Sequence, residues 1–185
     1  MSDARLIQIV DAALAEAVTK AGSWLACRVG CTECCMGPFP ITPLDAERLR
    51  QGLEELTSRD CERAARVRER ARDYVDRLSR EYPGDTVARL LGEEEAADQE
   101  PCPALDPESG ACDLYAARPI TCRTFGPPIR FNSSSLAVCE LCFVGASNEE
   151  IAACEVEVGT ETLGAALLAE MPAEETIVGW VLAGC

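Results

Sequence analysis

Twelve of the 185 residues are cysteine, none is histidine, and four of the cysteines crowd into "CRVGCTECC" at positions 27 to 35. Sulfur in such numbers is cross-linked, buried as a small hydrophobe, or bound to metal, and the compartment decides between these. The N-terminal stretch carries Asp3, Asp11 and Glu16, so it lacks the basic start and unbroken apolar run of a secretory signal. No apolar run approaches the roughly 18 residues of a spanning helix. The terminal "TIVGWVLAGC" is too short and reads as a buried helix end. Cys185, being last, cannot form a prenylation box, which needs three residues after the cysteine. The expected location is therefore cytoplasmic. Thiols there stay reduced, and clustered cysteines serve metals or redox chemistry more often than disulfides.

Three cysteines have bland readings. Cys61 and Cys154 fall on the apolar stripes of expected helices and Cys185 is terminal, where a thiol acts as a small hydrophobe. The other nine sit beside glycine and proline, outside such stripes: Cys27, Cys31, Cys34, Cys35, Cys102, Cys112, Cys122, Cys139 and Cys142. These are the candidate metal ligands. Cys31/Cys34 and Cys139/Cys142 are CxxC pairs, a spacing that lets two thiolates converge on one ion, and two pairs complete a Zn(Cys)4 site. Side chains of the neighbours Cys34 and Cys35 are expected to diverge, which implies two metal sites or one multinuclear centre. Two four-sulfur sites would use eight of the nine. Soft thiolates suit zinc and iron–sulfur alike. Arg28, Arg118 and Arg123 lie next to cysteines and are placed to offset the negative charge of such a centre.

Cys27-x3-Cys31-x2-Cys34 also has the spacing by which radical SAM enzymes hold a [4Fe–4S] cluster. Those enzymes place the triad after the first strand of a large βα barrel. This chain has no βα alternation, a helix precedes its triad, and Glu33 stands where an aromatic is usual. Radical chemistry is set aside, but the loop is geometrically able to hold a cluster.

The rest of the chain reads as mainly α: a small helical domain with an irregular cysteine-rich metal-binding module and a helical insertion. Residues 1–185 are taken as a single domain, with 44–100 as the insertion. Ile7, Val10, Leu14, Ala17, Val18, Ala21 and Leu25 mark one face of an opening helix. Thr42, Pro43 and Asp45 read as cap, first residue and first-turn acid of a second, with Ala46, Leu49, Leu53 and Leu56 as its buried stripe. A third, about 60 to 82, buries Ala64, Val67, Ala71, Val75 and Leu78. It carries eight arginines among acids, read as a solvated, salt-bridged surface. "DTVARLL" starts a short helix and "GEEEAADQE" is an acidic loop. Residues 101 to 145 hold six prolines in their first 28 positions and little periodicity. A stretch so long without regular structure needs an organiser, and a metal core supplies one. Ser147 and Glu150 form a capping box opening a helix through "EVEV". Two more helices, about 162–171 and 174–183, close the chain.

Net charge is −15, from 32 acids against 17 bases, sixteen of them arginine. Nucleic-acid phosphates and anionic membranes would be repelled, so neither is an expected partner, which leaves a protein partner of unspecified identity. Without histidine, serine-protease, nuclease and His-based metalloenzyme chemistries are excluded.

On these residues the chain resembles the zinc- or iron-chelating family named for its CxxCxxCC motif. "CRVGCTECC", "PFPITPLDAERL", "CPAL", "GACDLYAARPITCRTFG" and "CELC" carry the likeness, over about 27 to 142 apart from the insertion. Cys27, Cys31, Cys34 and Cys35 fall on the first motif and Cys102 on the Cys-Pro step. Cys112, Tyr115, Arg118, Pro119, Cys122 and Arg123 fall on a "C-x-x-Y-x-x-R-P-x-x-C-R" run. The first gap is three residues rather than two, which leaves the role of Cys27 open. The resemblance implies metal binding, by an iron–sulfur cluster (favoured with the tight triad) or zinc, in a redox or accessory role. Some relatives are similar to flagellin lysine methylases, implying an iron–sulfur-dependent enzyme as the alternative. That alternative would use "PFPIT" and "RTFGPPIRF" as pocket walls, yet the chain has no Gly-x-Gly cofactor loop. A thiol-based redox switch or metal chaperone is the third reading.

Overall fold

The computed structural model describes residues 2–28, 30–93, 96–131, 134–135, 138–159, 161–169, 171 and 175–184. Cys185 lies outside the described residues, as do Glu94 and Glu95 of the expected acidic loop. The helices are α1 (Asp3–Ala21), α2 (Pro43–Arg59), α3 (Cys61–Glu81), α4 (Thr86–Gly92), α5 (Ile120–Thr124), α6 (Asn148–Ala153), α7 (Glu161–Leu168) and α8 (Val178–Ala183). The strands are β1 (Ile129–Phe131), β2 (Ser134–Ser135) and β3 (Val156–Val158). The chain is mainly α, as expected. Among the described residues no helix is long and apolar enough to cross a membrane. The contacts divide it into two compact units, each assembled from two stretches: 1–28 with 120–172, and 29–119 with 173–185.

In the first unit, α1 buries Leu6, Val10, Ala17 and Ala21. This stripe is rotated from the expected one: Leu6 takes the inward place given to Ile7, and Val18 is 47% exposed. Val10 and Ala17 pack with Ile129, Val156 and Val158 of the sheet. That sheet has the order β2-β1-β3, with β1 antiparallel to β2 and parallel to β3, Ile129 opposite Val156. The Ser147–Glu150 capping box forms as read, but α6 ends at Ala153 and "VEV" is a strand. The reason is period: Val156 and Val158 are buried and Glu157 exposed, an alternation of two that only a strand satisfies.

The second unit is built on α2, α3 and α8. Thr42 accepts from the Asp45 amide while the Asp45 carboxylate accepts from the Thr42 amide, both at 3.2 Å, so α2 starts on a complete capping box. Ala46, Leu49, Leu53 and Leu56 are buried as expected, against Ala64, Val67 and Ala71 of α3 and Val178, Val181 and Leu182 of α8. On α3 the buried aromatic is Tyr74 rather than the adjacent Val75, because its ring meets Trp180 edge-on, 6.5 Å between centroids. Residues 44–100 are largely helical, and their apolar faces share this unit's core with Ile41, Ala104, Leu114, Ala117 and α8. Cys61, read as stripe-facing, is exposed at the first turn of α3, three residues before the buried row begins at Ala64.

Candidate metal centre

None of the eleven described cysteines is in a disulfide. The nine candidate ligands fall into two sets, one in each unit: Cys31, Cys34, Cys35, Cys102 and Cys112 in the second, and Cys27, Cys122, Cys139 and Cys142 in the first.

The second unit's set is held by backbone pairing between irregular segments. Residues 33–35 form a single 3₁₀ turn, closed by the Cys35 amide donating to the Thr32 carbonyl at 2.8 Å. The Cys102 amide donates to the Cys35 carbonyl at 2.7 Å, Met36 bridges Pro101, and the Gly37 amide donates to Glu100. Cys112 sits across a tight hairpin from Leu105, with the Asp113 amide on the Ala104 carbonyl. Gly110 turns this hairpin at φ +66°, and a Cβ there would stand 3.2 Å from the Gly30 Cα, so the loop bearing Cys31 lies against it.

Charge shows how near these thiols are. Cys34 and Cys35 follow one another in this turn, where consecutive side chains are about 120° apart, and the side-chain hydrogen bond between them shifts both thiols. The Cys35 thiol donates to the Cys34 sulfur. This lowers Cys34 from 9.0 to about 6, with help from the Arg118 guanidinium and against its own burial. The same bond, then burial, then the negative sulfurs of Cys34, Cys102 and Cys112, push Cys35 upward. Burial raises Cys102 to about 12 and raises Cys112 as well. Three of the four thiols thus resist ionising, while Cys34 is eased towards its thiolate. Arg118 is fixed by stacking, its Cζ 3.8 Å from the centroid of the Tyr115 ring.

Three arginines of α3 brace the loops. Arg63 and Arg70 both bond Asp113, beside Cys112, the Arg70 contact being 2.5 Å, and Arg70 also donates to the Pro103 carbonyl, beside Cys102. Arg77 bonds Glu100. The expected solvated face is therefore, in this row, the outer buttress of the thiol set. Spacing of seven, which stacks Arg63, Arg70 and Arg77 on one side of a helix, was the available signal. Asp113 had none beyond standing next to a cysteine.

In the first unit, Cys139 and Cys142 are buried and joined by a turn in which the Cys142 amide donates to the Cys139 carbonyl at 2.8 Å. The Cys27 Sγ is 4.0 Å from the Cys142 Sγ. Gly126, at φ +115°, accepts from the Cys139 amide, and a Cβ on it would lie 3.0 Å from the Cys27 Sγ. Cys122 is half-buried on α5, four residues ahead of that glycine. Cys154 keeps its bland reading: buried, it donates to the Lys20 carbonyl at 3.5 Å. Arg123 is drawn to Asp11 at 2.7 Å.

Among the described residues, no three Cys, Asp or Glu side chains enclose a point tightly enough to hold an ion as they stand. The thiols are arranged in pairs and near neighbours, and it is the donor chemistry, soft and histidine-free, that fits zinc or iron. The expected pocket behind "PFPIT" is small: Gly37, Pro38, Phe39, Tyr74, Cys102 and residues 177–179 line a cavity of about 10 Å³, room for one water.

A family model described as "Putative zinc- or iron-chelating domain", CxxCxxCC, matches residues 26–142. No curated protein and no solved structure matches the chain.

Proposed function

The chain belongs to the CxxCxxCC zinc- or iron-chelating domain family, and on that premise we propose that it is a metal-carrying accessory module. Its principal centre is an iron–sulfur cluster held by Cys34, Cys35, Cys102 and Cys112, with Cys31 in the adjoining loop. The observation that supports this is the backbone pairing that sets Cys102 beside Cys35, whose thiol is pushed up in part by the charges of Cys34, Cys102 and Cys112. Zinc at this centre would make it purely structural, whereas an iron–sulfur cluster supplies one-electron redox chemistry when bound. The protein's own part is to keep Cys102 and Cys112 half-buried against the helical core, to offset charge with Arg118, and to brace the loops through Asp113.

Anaerobic purification followed by iron, zinc and sulfide analysis tests the proposal. Iron with matching sulfide and broad visible absorption is expected, lost in Cys102→Ser. A colourless protein with zinc alone would remove the redox role. Thiols that merely cycle with oxidant, no metal being present at any stage, would make it a switch instead.

A further inference from the structure

Two thiols of the first unit meet where the backbone is pinned beside each of them. The Cys27 and Cys142 sulfurs are 4.0 Å apart, and a disulfide asks for about 2 Å. Phe143, which follows Cys142, donates its amide to the Trp24 carbonyl at 2.9 Å, three residues before Cys27. The Trp24 and Phe143 rings stack, centroids 6.1 Å apart. Cys142 shares one apolar cluster with Trp24, Leu25 and Ala26. Its own turn is closed by the amide bond to the Cys139 carbonyl, and Phe143 is held at φ +56°, a conformation that persists only where such contacts over-determine it. Gly126 clears the space beside Cys27, since a Cβ there would lie 3.0 Å from the sulfur. The sulfurs can therefore close by side-chain rotation while the chain around them stays in place.

Exposure divides the labour between the two. Cys27 is exposed and Cys142 is 5% exposed, so a dissolved oxidant meets Cys27 first and the buried sulfur waits beside it. Cys154, buried in the same cluster, is directed to the Lys20 carbonyl instead, at 3.5 Å.

We infer that Cys27 and Cys142 form a peroxide-sensitive thiol–disulfide switch within the first unit. Hydrogen peroxide oxidises the Cys27 thiol to a sulfenic acid and leaves as one water. The Cys142 sulfur then attacks the Cys27 sulfur, the S–S bond forms, and the hydroxyl departs with the Cys142 proton as a second water. Two thiols and one peroxide thus give one disulfide and two waters. A dithiol reductant restores both thiols by exchange, becoming a disulfide itself. When closed, the bond joins covalently the two stretches, 1–28 and 120–172, that make up the unit. The switch needs no metal, and it is independent of the centre proposed at Cys34, Cys35, Cys102 and Cys112.

The test uses the full chain, purified without oxygen, treated with one equivalent of hydrogen peroxide and then blocked with N-ethylmaleimide. Cleavage after Lys, Arg and Glu releases Cys27 in "AGSWLACR" and Cys142 in "LCFVGASNE", with Cys139 on a separate peptide. Mass spectrometry should find these two peptides joined, and reduced thioredoxin should part them. A bond between Cys139 and Cys142, a bond from either residue to another cysteine, or two unmodified thiols would overturn the inference. So would a bond that the dithiol leaves intact. The order of events is checked with dimedone, which traps sulfenic acids. C142S should accumulate a dimedone adduct on Cys27 that the wild type lacks, and C27S should leave Cys142 unmodified over the same exposure. Equal Cys27 labelling in C142S and the wild type, or oxidation of Cys142 in C27S, would overturn the assigned roles. Because the wild-type mapping requires no substitution, it decides the matter even where a variant fails to fold.

Discussion

Asp113 is the residue through which the helical core speaks to the thiols. Its side chain is only 2% exposed and takes a guanidinium on each carboxylate oxygen, while Arg63 and Arg70 remain 38% and 25% exposed. Removing one partner of a fully buried pair costs about 3–5 kcal/mol, but two half-wetted arginines recover hydration. We expect Asp113→Ala to lower stability by about 2 kcal/mol in urea denaturation and to release metal faster to a chelator. A variant with wild-type release kinetics would show that the clamp does not reach Cys112. The vicinal pair makes a second prediction in metal-free protein. The folded state lowers Cys34 from 9.0 to about 6, so the stabilisation this brings is fully present above pH 9.0 and is lost as pH falls towards 6. Cys35 runs the other way: its raised value contributes stability that is fully present below the ordinary thiol value of 9.0 and is lost progressively as pH rises above it. Iodoacetamide labelling followed by mass spectrometry should place the Cys34 midpoint near 6, and Cys35→Ala, by deleting the donor, should move it up towards the ordinary thiol range. A midpoint that ignores Cys35→Ala would mean the Arg118 charge dominates. Identity of the ligand candidates was legible because sulfur outside an apolar stripe has few other uses. Which thiols face one another was not, since that depends on bonds such as Cys102 to Cys35, 67 positions apart in the sequence.

Elements were legible where the signal is local. The Thr42–Asp45 box and the Ser147–Glu150 box form because cap, acid and spacing are all within four residues. Strand β3 was misread because a strand of three residues offers too short an alternation to outweigh the helix start before it. The rotated stripe of α1 has the same origin: with Leu6, Ile7, Ile9 and Val10 all apolar, only the partners of Val10 and Ala17 settle which edge turns in. Gly52, inside α2, shows packing outvoting propensity. Glycine in mid-helix costs about 1 kcal/mol relative to alanine, so Gly52→Ala looks stabilising in isolation. A Cβ there would meet the Ala117 Cβ at 2.3 Å, in the 3₁₀ turn Tyr115–Ala117 that leads into Arg118. Overpacking of this kind costs about 1–3 kcal/mol and wins. Gly52→Ala should therefore melt lower by calorimetry and hold its metal less tightly, while Ala117→Gly in the same chain should restore both. A Gly52→Ala protein more stable than wild type would show that the turn shifts freely and that Arg118 is not held by it.

At the scale of the molecule, two organisers share the chain. One is hydrophobic: Leu49, Leu53, Val67, Ala71, Val181 and Leu182 interlock α2, α3 and α8. The other, in the metal-carrying role proposed above, is the thiol sets, placed on segments whose backbone pairing is sparse, such as Met36 with Pro101 and Leu105 with Cys112. This division explains why the sequence reads as helices with an irregular module between them. It also explains why the partition into 1–28 with 120–172 and 29–119 with 173–185 was not legible: the break falls inside "CRVGC" and inside "RPITC", where composition does not change. Metal free energy is folding free energy for loops that lack their own core, whereas the helices keep theirs. Stripping metal with a strong chelator should then act selectively. Hydrogen exchange should show protection vanishing at the Cys102 and Asp113 amides, which bond to Cys35 and Ala104. Amides along α3 around Val67 and Ala71, both fully buried, should stay protected. A net charge of −15 favours recapture of a cation by the empty loops, more so at low ionic strength. Protection should accordingly return on adding back metal, faster in dilute buffer than in high salt. If instead α3 exchanged together with the loops on chelation, the helical core would depend on the metal, and the two organisers would be one.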